Sequence, residues 1–376
     1  MELVFAVSLL LIVHAYFGYP LSLKVLGRVR PKPVIRRYCQ PPVTLIIAAC
    51  NEERRIGEKL ENTLALDYPR EKLQVIVTSD GSSDGTNAIV RGYAAQGIGL
   101  HVCPERKGKE NAQKEALEKA TGEIVVFSDV STMLDPQGIS EIVANFADPS
   151  VGCVSSVDRV IGRDGKPCGE GFYVRYEMWL RKLESRANSL VGLSGSFFAA
   201  RREVCRGFSG DMQSDFRMVL ASNRMGLRGV SDPAAVGYYR DISDGRREFD
   251  RKVRTVLRGL TVMFHNLEFL NLFRYGLFSY QYFCHKLLRW LVPLFLATAL
   301  TANAALSLKS TGYAALLAVH CGFYGIAAVG WWANSLPRGV VLKVPLYFVT
   351  VNAAIAVAWW RFISGKRMVM WSPSQR

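Results

Sequence analysis

Two carboxylates four residues apart, in the run Ser79-Asp80-Gly81-Ser82-Ser83-Asp84-Gly85-Thr86, follow the apolar β-branched stretch Leu73–Thr78. Gly, Ser and Asp serve a surface turn through their φ freedom and local hydrogen bonds. The same residues let a polar ligand approach the backbone closely. Two more polar clusters stand in the same relation to an apolar run. Ala49, Asn51 and Glu52 end the stretch that begins at Val43, and Ser128, Asp129 and Ser131 end the one that begins at Glu123. Arg106–Lys109 enters a helical pattern, where free N–H groups and lysines favour phosphate. Asp215, in QSDFRMVL, is a carboxylate that can take a proton. Each has a plainer use: Asn51, Asp84 and Asp215 as helix caps, and Arg106–Lys109 as a solvated charge run.

The elements that must position these residues alternate. VTLIIAA, LQVIVTS and EIVVFS read as buried strands, and RRIGEKLENTLAL carries helical spacing. KGKENAQKEALEKATG reads as a helix ended by Gly122. This rhythm argues for a mostly parallel sheet, with ligands bound at the carboxyl ends of its strands. Asn51, Asp80 and Asp129 each fall at such an end.

Composition adds a second region. Of the 376 residues, 49% are apolar, but they are unevenly spread. Met1–Leu23 holds Glu2 as its one charge, and Leu291–Trp360 has only Lys309, Arg338 and Lys343. Leu3–Leu23 is long enough to span a bilayer and lacks the basic start and cleavage site of a signal peptide. Lys24, Arg28, Arg30, Lys32, Arg36 and Arg37 follow it, which by the positive-inside rule brings the chain into the cytoplasm there. Further apolar segments cover about Leu291–Leu306, Tyr313–Ala333 and Val344–Trp360, and Val262–Phe283 reads as one interfacial helix. Three further crossings would leave the tail outside, whereas Arg361, Lys366, Arg367 and Arg376 favour the inside.

The net charge of +15 points to phosphorylated ligands or an anionic membrane face. No zinc-finger spacing or RNP-type aromatic pattern is present, so nucleic acid is not an expected partner. The eight cysteines show no CxxC pair and read as reduced thiols; the five histidines form no cluster.

PVTLIIAACNEE, SDGSSDGT, RKGKENAQKEAL, VVFSDVS, GLSGSFFAARRE, QSDFRMVLASNRMGLRGV and HKLLRW occur in the order and spacing of the family 2 glycosyltransferases. The set spans about Val43–Trp290 and looks most like the membrane-bound polysaccharide synthases related to cellulose and hyaluronan synthases. The resemblance implies an α/β, GT-A (Rossmann-like) nucleotide-sugar domain flanked by transmembrane helices. It divides the chain into an N-terminal transmembrane helix (1–24), a basic Pro-rich linker (25–42) and a cytoplasmic catalytic domain (43–260). Interfacial helices carrying HKLLRW (261–290) and a C-terminal membrane region of two to three helices with a basic tail (291–376) follow.

By the same resemblance, Ala49, Asn51, Glu52 and Asp80 contact the nucleoside, and Lys109, rather than Lys107, lies near the nucleotide. Ser128, Asp129 and Ser131 stand where the family's DxD motif binds a divalent cation and diphosphate; the second acidic position is Ser131 here. Mg²⁺ or Mn²⁺ is the implied cofactor, since one aspartate suffices when substrate phosphates complete the shell. Asp215 falls on the position of the general base, with Asp211 as local competitor. Ser194, Gly195 and Ser196 floor the acceptor site. Arg289 and Trp290 match the QxxRW motif, for diphosphate and acceptor sugar, while Lys286 stands in place of Gln. The basic run Arg246–Gly259 is either a segment over the nucleotide or a helix lying on anionic lipid.

The implied activity is inverting transfer from a nucleotide-sugar, UDP-linked, to a growing polysaccharide or lipid-linked saccharide at the inner membrane. A polyprenyl-phosphate glycosyltransferase and a degenerate nucleotide-binding subunit of an assembly complex are the alternatives. A nucleotidyltransferase would lack Asp215 and the RW pair. With three or four spans a monomer is small for secreting polymer alone, which implies export partners.

Overall fold

The computed structural model describes residues 1–161, 172–240, 245–332 and 340–366. Arg367 and Arg376 lie outside these, as do the side chains of Arg246 and Arg247. The chain divides into an α/β unit, Leu23–Ser243 with Asn266–Phe278, and a helical unit of Met1–Ser22, Asp244–His265 and Ser279–Arg367.

In the α/β unit the β-branched runs form a sheet. Its strands are β1 (Val43–Ala49), β2 (Leu73–Asp80), β3 (Ile98–Cys103), β4 (Ile124–Asp129), β5 (Met133–Leu134), β6 (Val151–Ile161), β7 (Phe197–Arg201) and β8 (Arg228–Arg240). They are ordered β3-β2-β1-β4-β7-β6-β8-β5. The first four positions are parallel, and β7 runs antiparallel between β4 and β6. Every residue of β1 is buried, as expected of a strand covered on both faces. Register places Ala49 beside Ser79, and Ala48 beside Asp129. The carboxyl ends of β2, β1 and β4 are therefore neighbours. Apolar side chains from both ends of the sheet, among them Leu45, Val126, Phe197 and Val230, belong to one core.

Two sequence expectations are corrected. The helix after Arg106–Gly108 spans Lys109–Leu117 and ends before Gly122. Gly122 instead packs against β1, where a Cβ would stand 2.4 Å from Thr44 N and 2.6 Å from the Val43 carbonyl carbon. Its own N–H donates to Thr44 Oγ1 at 2.9 Å. The glycine serves close backbone approach rather than helix termination.

The second correction concerns Val262–Phe283, which is not one helix. The helix Gly245–Phe264 ends there, Leu267–Leu270 forms a 3₁₀ turn, and Leu272–Tyr275 a single helical turn. The Asn271 side chain caps that turn by accepting from Phe273 N and Arg274 N, and Gly276, at φ +52°, ends it. An apolar helix then begins at Leu277 and runs through HKLLRW to Ser307.

Among the described residues, four helices are long and apolar enough to cross a membrane: Glu2–Val29, Leu277–Ser307, Thr311–Trp332 and Lys343–Ile363. Within the helical unit, Ser8 and Thr298 share a hydrogen bond at 2.9 Å, and Ser22 and Tyr280 another at 2.7 Å. No described cysteine is in a disulfide.

Replacing Gly122 by alanine forces β1 and its neighbour apart. The expected cost is at least the roughly 1–3 kcal/mol of an overpacked site. A lower thermal unfolding midpoint of the detergent-purified variant is the check.

Candidate functional site

The loop after β1 and the loop after β2 are knitted together. Asn51 adopts φ +53°, the one non-glycine residue with positive φ among those described. Its Oδ1 accepts from Ser83 N at 2.8 Å, and its N–H donates to Ser82 Oγ at 3.1 Å. Asp84 accepts from Thr86 N at 3.0 Å and from Glu53 N at 3.1 Å. Burial alone would raise the Asp84 pKa, but the hydrogen bonds from Thr86 and Glu53 hold it below the usual carboxylate value. Glu52 is buried and paired with Arg55 at 2.6 Å; desolvation nevertheless pushes its pKa up.

Asp80 reaches further. It is 1% exposed, and its oxygens accept from Lys107 N at 2.8 Å and Gly108 N at 2.9 Å. The first carboxylate of SDGSSDGT thus fixes the turn that launches the helix Lys109–Leu117. Gly81, at φ +60°, lies against Arg106, whose backbone N would be 3.1 Å from a Cβ there. The two loops leave no room for a side chain.

Lys109, at the start of that helix, is buried. Its Nζ pairs with Asp129 Oδ1 at 2.5 Å and donates to Gly195 O at 2.9 Å. Asp129, the last residue of β4, keeps a 22% exposed side chain, and its N–H donates to Ser196 O at 3.0 Å. Asp215 sits in the first turn of the helix Ser214–Arg224. Its Oδ1 accepts from Phe216 N at 2.9 Å and its Oδ2 from Gln213 Nε2 at 3.1 Å. A Cβ on Gly195 would stand 3.1 Å from Asp215 Oδ2. Glycine at 195 therefore admits the carboxylate, and one peptide segment borders both Lys109 and Asp215.

A divalent cation would find one carboxylate here, Asp129, with the hydroxyl-bearing Ser131 in the turn before β5. That donor set fits a hard cation completed by phosphate oxygens and water. The fold thus brings together Ala49, Asn51, Glu52, Asp80, Lys109, Ser128, Asp129, Ser194, Gly195, Ser196 and Asp215, at strand ends, helix starts and the loops between them. Arg289 and Trp290 belong to the helical unit, where both are buried. The Arg289 guanidinium lies 5.7 Å from the Tyr16 ring centre, and Trp359 Nε1 donates to Trp290 O at 2.8 Å. Arg251 is paired with Glu248 at 2.7 Å in the same unit.

Two residues at the site were missed in the sequence. Lys59, from the helix Ile56–Leu64, is fully buried and donates to Ser128 Oγ at 2.8 Å and Thr132 O at 2.6 Å. It braces the turn that carries Asp129 and Ser131 from behind. Its signal is a lysine three residues after Ile56 on the buried helix face. Burial pulls its pKa down to about 7 against the opposing pull of Asp129. Asp158, on β6, binds the hydroxyls of Ser194 and Ser196. Its signal is the polar set Ser155, Ser156 and Asp158 inside an otherwise apolar strand.

Residues 44–208 match the family model described as glycosyl transferase family 2. A stretch of 120 residues is 32% identical to poly-beta-1,6-N-acetyl-D-glucosamine synthase of Staphylococcus aureus, covering 31% of this chain and 29% of that one. Over 172 residues the chain is 28% identical to the synthase of the same name from Staphylococcus epidermidis, covering 44% and 40%. The chain thus matches less than half the length of these curated relatives. A likeness extending almost end to end is to the solved mannosyltransferase PcManGT of Pyrobaculum calidifontis, in complex with GDP-Man and Mn²⁺. The TM-score there is 0.73 at 28% identity, over 97% of this chain and 100% of that one.

Lys59 carries a pH signature. Its folded pKa of about 7 lies below the ordinary 10.5, so between these values the unfolded chain holds a proton that the folded chain has released. Stability therefore rises with pH across that window, and below it the burial cost is present in full. Thermal unfolding of the intact protein should shift upward from pH 7 to pH 9, and Lys59→Met should flatten the rise.

Proposed function

We propose that this chain, which carries a family 2 glycosyltransferase domain on a GT-A sheet, transfers a sugar from a nucleoside-diphosphate donor to a saccharide acceptor at a membrane. The observation that carries this reading is the Gly195 segment, with Lys109 on its carbonyl and Asp215 against its Cα. A donor-phosphate cation and an acceptor base set against one peptide are what a displacement at a sugar carbon requires.

In this mechanism the nucleoside lies over Ala49, Asn51, Glu52 and Asp80, at the loops that Asn51 and Gly81 shape through their positive φ. Asp80 acts mainly through the backbone N–H groups of Lys107 and Gly108, holding Lys109 at the diphosphate. Asp129, with Ser131, would hold a divalent cation such as Mg²⁺ or Mn²⁺, which would supply charge stabilisation for the departing diphosphate. Asp215 takes the proton of the acceptor hydroxyl as that oxygen bonds to the sugar carbon and the carbon–phosphate-oxygen bond breaks. Attack from the face opposite the leaving group inverts the configuration. Phe216 N–H and Gln213 fix the carboxylate for this task. Arg289 and Trp290 enter the reading through the HKLLRW motif alone.

The likeness to a mannosyltransferase solved with GDP-Man supports considering a GDP-sugar beside a UDP-sugar as donor. The similarity to polysaccharide synthases and the four apolar helices favour a growing polysaccharide or lipid-linked saccharide as acceptor. The basic run from Lys24 to Arg37 favours placing the α/β unit on the cytoplasmic face.

Detergent-purified protein should release nucleoside diphosphate from one of UDP-GlcNAc, UDP-glucose, UDP-galactose or GDP-mannose with Mn²⁺ and a membrane extract. Asp215→Asn should lower kcat by about 10²–10⁴-fold while nucleotide binding persists. Nucleotide binding with no turnover of any donor would favour the degenerate-subunit alternative.

A further inference from the structure

The segment Ser194–Gly195–Ser196 is held on two sides. One side meets the site described above: Gly195 O takes the Lys109 ammonium at 2.9 Å, Ser196 O takes Asp129 N–H at 3.0 Å, and Asp215 stands against the Gly195 Cα. The serine side chains turn to a different partner. Ser194 Oγ donates to Asp158 Oδ2 at 2.6 Å, and Ser196 Oγ donates to Asp158 Oδ1 at 2.5 Å. The two hydroxyls are themselves 2.9 Å apart. Ser155, three residues before Asp158 on β6, accepts from Ser194 N–H at 2.7 Å.

Charge-assisted hydroxyl–carboxylate bonds of this length are about twice as strong as neutral ones. Both oxygens of one carboxylate are committed to residues i and i+2 of one segment, with glycine between them. Glycine at 195 admits Asp215 but leaves the backbone more conformational freedom than any other residue would. A two-point clamp removes that freedom.

We propose that Asp158 is a positioning residue for the transfer reaction. By holding both serine hydroxyls, it fixes the Gly195 peptide against which the donor-side lysine and the acceptor-side base are set. The inference rests on the function proposed above. It assigns Ser194 and Ser196 to the clamp, so that their hydroxyls serve Asp158 rather than an acceptor sugar.

The test uses the full-length chain in detergent with three variants: Asp158→Asn, Asp158→Ala and the double change Ser194→Ala with Ser196→Ala. Three readouts are taken: calorimetric binding of UDP and GDP with Mn²⁺, steady-state kinetics with the active donor, and hydrogen–deuterium exchange of the peptide spanning 192–197. The expected result is a kcat lower by about 10–100-fold, the usual cost of losing a partner that orients a site group. Nucleotide affinity and donor KM should stay close to those of the unaltered chain, and exchange in 192–197 should be faster in all three variants. Asp158→Asn keeps one acceptor oxygen and should fall between the unaltered chain and Asp158→Ala.

Unchanged kcat, or unchanged exchange in Asp158→Ala, would overturn the inference. So would a double-serine variant of full activity beside an inactive Asp158→Asn, because Asp158 would then act on substrate directly. If the unaltered chain turns over no donor, the functional reading fails, and the exchange measurement alone decides whether the clamp exists.

Discussion

The ammonium of Lys109 lies 2.5 Å from Asp129 Oδ1 and 2.9 Å from the Gly195 carbonyl oxygen. Three parts of the chain far apart in sequence meet at this one cation: the helix launched after β3, the carboxyl end of β4, and the turn entering β7. Removing any partner leaves a largely buried charge or carbonyl without compensation, which is the costly outcome. Much of the site can be understood as scaffolding for this contact. Asp80 fixes the turn before Lys109, Lys59 supports the strand end that carries Asp129, and Asp158 holds the segment that presents Gly195.

That arrangement resolves the two uses of the SDGSSDGT loop. Asp84 does what a turn residue does, accepting N–H groups from its own loop and from the loop after β1. Asp80 makes no such local bond to its own loop; it reaches to Lys107 and Gly108. The Gly and Ser residues between them let the loops after β1 and β2 and the Arg106 turn come into backbone contact. Turn chemistry and longer-range positioning are thus layered in one stretch. The local hydrogen bonds build a rigid rim, and the first carboxylate uses that rim to aim the next helix.

The elements with strong local signals were legible in the sequence. Strands β1, β2 and β4 follow from apolar runs rich in β-branched residues, and their shared edge follows from the parallel alternation. Asn51, Asp80 and Asp129 stand out because polar residues at strand ends are visible without tertiary knowledge, whereas Asp215 stands out only through the resemblance of QSDFRMVL to a family motif. Lys59 and Asp158 were not, because their partners lie 69 and 36 or more residues away and only the folded sheet brings them together. Gly122 misled for a related reason: a glycine that stops a helix and one that lets two backbones touch look the same in a string of letters. The aromatic, lightly charged segment Val262–Phe283 reads as one interfacial helix in the sequence, but the Asn271 cap and the positive φ of Gly276 break it locally. Lys286 and Trp290 show how motif and packing combine, the lysine standing 5.7 Å from the centre of the ring its motif supplies.

The most direct test is an experimental structure of the chain with Mn²⁺ and either GDP-mannose or UDP-GlcNAc. The account predicts the diphosphate within hydrogen-bond reach of Lys109 Nζ, the cation on Asp129, and the nucleoside over Asn51 and Asp80. The account would be contradicted by a nucleotide seated elsewhere, for example in the groove lined by Arg36, Arg37 and Tyr38, with Lys109 still closed on Asp129.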